Sequence, residues 1–441
     1  MRASVFWFPI HSVFFSITFS FCDLGGSVSA QAFEAPPSEV RSEDLLLRAV
    51  SPITPELAAY WREIRASNER MRDQVFSKVG DSATVNWGFM SCFASDRVEL
   101  DGREWLRSTV HHFSALGRVF QRRSAAAGVG WSSVALLRGG AKSPLERELR
   151  SARPRFALVM LGTNDLQGPR IDRFTTAMWS IVERLTSRGV IPILSTILPR
   201  GDSPERDAWV FRYNAVVRAL AQGLRVPWVD LHPELMRLPR LGLAGDGVHP
   251  NIYWFRGRSQ GCVLDSEGLQ YGQNVRNLLN LVQLDRVRRV VLEQSPAPDP
   301  SPLPVPGDGS IDRPFEHGEL PFSDLAVATS SEEKGVSERL YRFTLATPQR
   351  VWFQISGRRS TYAGRRGPRH KIRLFRRDGL DRSAAEPHSI GETETCMSME
   401  LEEGTYEVVV HPSPRSDGAY LLTAEPWPDQ NSVASTTLSA N

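Results

Sequence analysis

The sequence predicts a chain of two folded parts, a three-layer α/β/α parallel sheet followed by a small C-terminal antiparallel β-sandwich. Three observations predict it. Apolar runs near residues 75, 156, 190 and 226 alternate with segments of helical periodicity, the pattern of a parallel sheet covered on both faces. The stretch Gln294–Gly309 carries a proline at nearly every second position and reads as an extended, semi-rigid connector. Beyond it come short alternating runs separated by turn-rich breaks, the pattern of an antiparallel sandwich.

Taken in order, residues 1–30 read as a signal peptide. Arg2 gives a positive start, Val13–Phe21 is apolar, and Ser27-Val-Ser-Ala30 is a small-residue cleavage pattern. The apolar stretch is short for a bilayer-spanning helix, so a secreted or periplasmic chain with no transmembrane segment after processing is expected. Cys22 has Phe19 and Phe21 as neighbours, a poor setting for lipid attachment. Residues 31–293 then hold the α/β domain. Pro55–Arg65 has helical character, with proline at the start where its missing N–H costs nothing. Val75–Val79 is the first strand. Between 84 and 154 the pattern is indistinct, and a second strand has no secure place there. Phe156–Leu161 is a buried strand, Ile171–Arg188 a helix stopped by Gly189, and Val190–Ile197 a strand in which Pro192 requires a bulge or an unbonded position. Pro204–Gly223 reads as a helix, Val226–Leu231 as a short strand, and Asp265–Leu292 as a long helix. After the connector at 294–310, residues 311–424 form the sandwich through Leu340–Leu345, Arg350–Ile355, Lys371–Arg376, Thr405–Val410 and Ala419–Ala424. Residues 425–441 are a polar tail.

At 441 residues the chain can bury a sizeable core. Its formal charge of +3 gives no reason to expect a nucleic-acid partner, and the pairs Arg288-Arg289, Arg358-Arg359 and Arg365-Arg366 read as solvated surface. Neither zinc nor a redox dithiol is suggested, because no Cys-x-x-Cys pair or His-Glu-x-x-His helix occurs. Once the leader is set aside, Cys92, Cys262 and Cys396 remain. Either Cys92 and Cys262 bond, clamping two loops and leaving Cys396 single, or all three are buried free thiols. His111-His112 do not share a face of a helix or strand and read as structural.

In parallel sheets the ligand crevice lies beyond the carboxyl ends of the strands, and three loops leaving that edge carry reactive side chains. Gly80-Asp-Ser82 ends the first strand and exposes Ser82 at a helix start, where N–H groups lack internal partners. Gly162-Thr-Asn-Asp165 follows the strand at 156 and offers the Asn164 amide as a donor. Asp246-Gly-Val-His249 follows the last strand. There a histidine can take the serine proton and an aspartate can fix its tautomer.

These blocks together resemble the SGNH hydrolase family, also called the GDSL esterase and lipase family, over about residues 70–290. Lys78-Val-Gly-Asp-Ser82 is similar to its first block, Gly162-Thr-Asn-Asp165 to its third and Asp246-Gly-Val-His249 to its fifth. The resemblance implies a flavodoxin-like, five-stranded sheet and ester hydrolysis without metal or cofactor. It implies Ser82, Asp246 and His249 as the catalytic triad, with the oxyanion held by Ser82, Asn164 and a second-block glycine. That glycine is Gly130, with Gly128 as the alternative. Ala83 stands where a leucine would complete Gly-Asp-Ser-Leu, which removes one reason to infer a lipase. The implied activity is that of a secreted serine esterase cleaving a carboxylic ester through an acyl-enzyme, with an acetyl ester of a carbohydrate as one candidate substrate. An acyltransferase using the same groups, or a non-catalytic exported surface-binding protein, are the alternatives. Trp87, Phe89 and Trp131 are candidates both for the pocket and for the core. Gly404–Val410 and Gly418–Thr423 resemble strands of secreted prepeptidase-type accessory domains, which implies glycan or surface-polymer binding or a role in export.

Overall fold

The fold was described from a computed structural model, for residues 48–94, 98, 100–167, 171–326, 338–357, 370–377, 388–393, 396–412 and 419–427. The expected signal peptide, Arg358-Arg359 and Arg365-Arg366, and most of the expected tail lie outside these residues.

A parallel sheet of four strands runs in the order β1 (Arg72–Gly80), β2 (Pro154–Met160), β3 (Ile191–Ser195), β4 (Trp228–Val229). β2 and β3 are buried along their whole length, as strands covered on both faces must be. The covering helices are α1 (Pro55–Ala66), α2 (Ser82–Val85), α3 (Arg107–Ser114), α4 (Pro144–Ala152), α5 (Ile171–Thr186), α6 (Pro204–Gly223), α7 (Leu231–Met236) and α8 (Gly272–Leu292). Their starts follow local chemistry. Thr54, Ser143 and Ser203 each cap a helix whose first turn carries a proline.

The expected fifth strand is reduced to one isolated bridge, Gly80 to Ala127, in which Gly80 N–H donates to Ala126 O and Gly128 N–H to Gly80 O. The segment reaches the edge of the sheet beside β1 but lacks the apolar run that would extend the pairing. Pro192 sits opposite Ala157 of β2, ahead of the point where β4 begins to pair at Leu194, so its missing N–H leaves no second ladder broken. The helix expected from Asp265 starts at Gly272.

β5 (Trp254–Phe255) and β6 (Arg258–Ser259) pair as a short antiparallel hairpin ahead of α8. Two further sheets follow the connector. One has the order β13 (Cys396–Leu401), β10 (Gln349–Gly357), β15 (Tyr420–Pro426), β8 (Phe322–Ala326); the other has β12 (His388–Thr393), β11 (Lys371–Arg377), β14 (Gly404–His411), β9 (Arg339–Leu345), β7 (Phe315–Gly318). All described pairings are antiparallel except β7 with β9. β10 and β15 are buried residue after residue, where a strand with one wet face would alternate. The cause is α5 and α6, which pack on the outer face of this sheet, α5 against β10 and α6 against β15 and β8. Leu325, Ala419 and Leu421 join the core of the α/β layers, while Phe353, Leu422 and Ala424 face the sandwich core.

At this junction the guanidinium of Arg212, 1% exposed, lies 4.3 Å from the ring centre of Trp209 and 4.2 Å from that of Trp352. Its nitrogens have no hydrogen-bond partner among the described residues, and burial lowers its pKa to about 10. Arg218 pairs with Glu425 at 2.5 Å, and Trp427 packs its ring on Phe211 and Trp352. The tail expected from residue 425 therefore begins as the end of β15. The connector is strapped down as well, because Asp299 accepts from Ile53 N–H at 2.6 Å and from Arg286 at 2.7 Å.

Two further expectations are corrected. Arg288 is buried and ion-paired with Asp285 and Glu293 rather than solvated, because α8 runs through the middle of the packed layers. Cys92 bonds Cys262 across 170 positions, and Cys396 is disulfide-bonded too, so neither the single Cys396 nor the three free thiols hold. Replacing both Cys92 and Cys262 by serine should cost about 2–4 kcal/mol, since the bond closes a long loop in the unfolded chain. Denaturant melts of the wild type and the double variant under non-reducing conditions measure this, and equal midpoints would show the bond to be idle.

Candidate active site

β1 and β2 end level, Gly80 opposite Met160, so the loops that follow them leave one edge of the sheet together. Asp81 caps α2. Its carboxylate accepts from Ala83 N–H at 3.1 Å and its carbonyl accepts from Thr84 and Val85 N–H at 3.0 Å each. The N–H of Ser82 is left without a partner among the described residues. Burial raises the pKa of Asp81, opposed by the nearby Arg276.

The Asp246–His249 turn is pinned at its base, where Ala244 N–H donates to His249 O and Leu243 pairs with Pro250. Gly247 has φ +66°, and a Cβ there would lie 2.7 Å from the Asp202 nitrogen, so only glycine lets the turn sit this close to the loop after β3. The turn carries His249 to the start of α2. His249 Nε2 lies 2.8 Å from Ser82 Oγ, and His249 Nδ1 lies 2.6 Å from Asp246 Oδ2. The other Asp246 oxygen accepts from the N–H groups of Val248 and His249. Burial acts to raise the Asp246 pKa, but those N–H groups and the His249 ring outweigh it and hold the carboxyl down to about 2. Asp246 is thus ionised at any pH where the protein would be assayed. The site is open, with His249 one-third and Asp246 one-half exposed.

Asn164 lies in the loop after β2 and donates from Nδ2 to Trp131 O at 3.1 Å. That bond ties it to the loop holding the candidate glycines. Asp165 ties the same two loops again, accepting from Ser133 N–H and Oγ. Gly128 spends its N–H on Gly80 O, and the Trp131 ring packs so closely on it that a Cβ would fall 2.1 Å from the indole. Gly130 is exposed at φ +72° with open space around it, beside Trp131. Of the candidate aromatics, Trp87 is 65% exposed, Trp131 half-buried, and Phe89 fully buried in the core. His112 bonds Asp73 O at the far end of β1, away from these loops. Among the described residues no cluster of three His, Cys, Asp or Glu side chains could hold a metal ion.

Two residues at the site have no role that the sequence assigns. Arg276 of α8 donates to Ala83 O at 2.7 Å and to Thr84 Oγ1 at 3.0 Å, clasping α2 from behind. Lys78 of β1 is buried and donates to Phe89 O and Phe120 O. Burial, then repulsion from Arg122 and Arg276, lowers its pKa to about 8 from the usual 10.5. A native state that sheds this proton before the unfolded chain does becomes harder to unfold as pH rises through that interval, by at most roughly 3 kcal/mol. Wild type should therefore gain more stability than Lys78→Met between pH 7.5 and 10 in denaturant melts. An equal response of the two proteins would show that burial does not lower the Lys78 pKa.

A serine hydroxyl, an imidazole and a carboxylate bonded in series at the carboxyl edge of a parallel sheet define the class of α/β proteins equipped for nucleophilic chemistry. Residues 79–252 match the model of the GDSL-like Lipase/Acylhydrolase family. Among solved structures, a GDSL-like lipase from Bacteroides thetaiotaomicron is similar at 16% identity, over 52% of this chain and 98% of that one, with a TM-score of 0.31. An acetylxylan esterase from Geobacillus stearothermophilus is similar at 17% identity, over 49% and 95%, with a TM-score of 0.33. No curated protein matches the chain.

Proposed function

We propose that the protein is a serine ester hydrolase that cleaves a carboxylic ester through an acyl-enzyme. The observation carrying this reading is the unbroken series of contacts from Asp246 through His249 to Ser82, at 2.6 and 2.8 Å. Ser82 Oγ adds to the ester carbonyl carbon while His249 Nε2 accepts its proton. Asp246 holds the ring through Nδ1 and stabilises the imidazolium. The carbonyl oxygen becomes an oxyanion, which accepts from Ser82 N–H, the Asn164 amide and Gly130 N–H. His249 passes its proton to the departing alcohol. It then takes a proton from water, which attacks the acyl group, releases the acid and restores Ser82.

An open site, with the exposed rings of Trp87, Trp254 and Phe255 nearby in sequence to Ser82 and His249, suits a bulky alcohol such as a carbohydrate more than an enclosed lipid chain. A short acyl group, acetyl above all, is the matching acid part. Export is part of the same reading, supported by the leader sequence and the Cys92–Cys262 bond. The direct test is labelling with a fluorophosphonate, followed by peptide mapping. Phosphonylation of Ser82 together with hydrolysis of p-nitrophenyl acetate is the expected outcome; label on another residue, or none, would overturn it.

A further inference from the structure

A cavity of about 360 Å³ adjoins the helix that starts at Ser82. Thr84 and Val85 of α2 form one wall, continued by Asn86 and Trp87, and the segment Gln121–Ser124 forms the other. Its charge is one-sided. Lys78, Arg122 and Arg123 line it, and none of its lining residues is acidic. Glu148 lies behind this wall and offsets only Arg122, its oxygens shared among Arg122, Ser77 Oγ and Ala125 N–H. Arg122 Nε is buried without a partner among the described residues. Lys78, 7% exposed, gives two of its three donors to backbone carbonyls and has no carboxylate among the described residues. A buried ammonium held this way is expensive unless an anion joins it.

A second cavity, of about 280 Å³, shares Trp87, Ser91 and Gln121 with the first and continues to Ile252 and Ser259, just beyond His249. The two cavities meet at these shared residues, with the exposed Trp87 indole at their join, and the second is walled by the segment that follows His249 in the chain. A flat apolar ring flanked by amide and hydroxyl side chains suits the face and rim of a sugar.

Given the reading as an ester hydrolase, we propose that the cationic cavity holds an anionic sugar unit, a uronate or a sulfated sugar, adjacent to the acylated one. The enzyme would then select acylated acidic glycans over neutral ones. The test uses full-length Ser82→Ala protein, titrated calorimetrically with oligogalacturonate, a sulfated galactan oligomer and a xylo-oligosaccharide. At least one anionic oligomer should bind ten or more times more tightly than the neutral one, less so as salt is raised. Whichever anion binds identifies the carboxylate or the sulfate as the ligand. Adding Arg123→Ser, a surface change that leaves the fold intact, or Lys78→Met should weaken that binding at least tenfold. In the active enzyme each change should cut the ratio of kcat/KM for acetylated acidic over acetylated neutral glycan by a similar factor. Equal affinity for the three oligomers, no binding of any, or anionic binding indifferent to both substitutions would overturn the proposal. Failure of the hydrolase reading looks different: no ester turnover by wild type, with the anionic preference in binding retained.

Discussion

Ser82→Ala is expected to lower kcat for p-nitrophenyl acetate by about four to six orders of magnitude while leaving the melting temperature within a few degrees of wild type. The fold should tolerate the change because nothing in the packing depends on the hydroxyl. Its contact is with His249 Nε2, and the bonds that fix the start of α2 are made by Asp81 and by the backbone. Alanine is also a good helix former. His249→Ala should cost a comparable factor, and the double variant should be hardly worse than either single one. Groups that act as a unit lose their effect together. Independent, multiplying losses would mean that the two side chains do not share one step, and wild-type turnover in Ser82→Ala would dismiss the serine altogether.

Arg276→Leu should be the most destabilising single change near the site, by about 3–5 kcal/mol. The guanidinium is wholly buried 3.8 Å over the Phe89 ring, bonds Ala83 O and Thr84 Oγ1, and opposes the desolvation of Asp81. Removing it strands a buried carboxylate and an unsatisfied carbonyl at the base of the serine helix. Burial holds the Arg276 pKa down to about 10, so the residue is charged across the assay range. Asp81→Asn in the same chain should recover part of the loss, because the charge left behind disappears with it. Urea melts of the two single variants and the double variant read this coupling. Stability within 1 kcal/mol of wild type in Arg276→Leu would show that solvent or relaxation compensates.

The three loops around Ser82 were legible because each combines a short local motif with an apolar run that ends just before it. Strand ends are marked by such runs, and the parallel order of the strands then brings distant loops to one edge. Arg276 was not legible for the opposite reason. It sits inside a helix of 21 residues that is buried on nearly every side, where an arginine looks like any other surface residue of an amphipathic pattern. Arg288, misread as solvated, belongs to the same helix. Lys78 stands out in the sequence only as part of a motif, and its burial depends on the carbonyls of Phe89 and Phe120, which no spacing in the sequence announces. The missing edge strand has another cause. Ala126–Gly128 pairs with Gly80 through backbone alone, and a single bridge leaves no periodicity to detect. In the sandwich, the runs at 340, 350, 371, 405 and 419 alternate clearly enough to mark strands, whereas β7, β8, β12 and β13 lack a clear apolar alternation. That α5 and α6 would cover one sheet was also out of reach, because continuous burial of a strand reflects what lies outside it.

The aromatic stack at that junction bears on any attempt to cut the chain into modules. A protein ending after α8 would leave Trp209, Phe211 and the Arg212 guanidinium facing water without Trp352 and Trp427. The freed sandwich would bare the apolar outer side of β10 and β15 in turn. Both fragments would be sticky, so the carboxyl-terminal third acts as a permanent shoulder of the α/β layers and not as a detachable appendage.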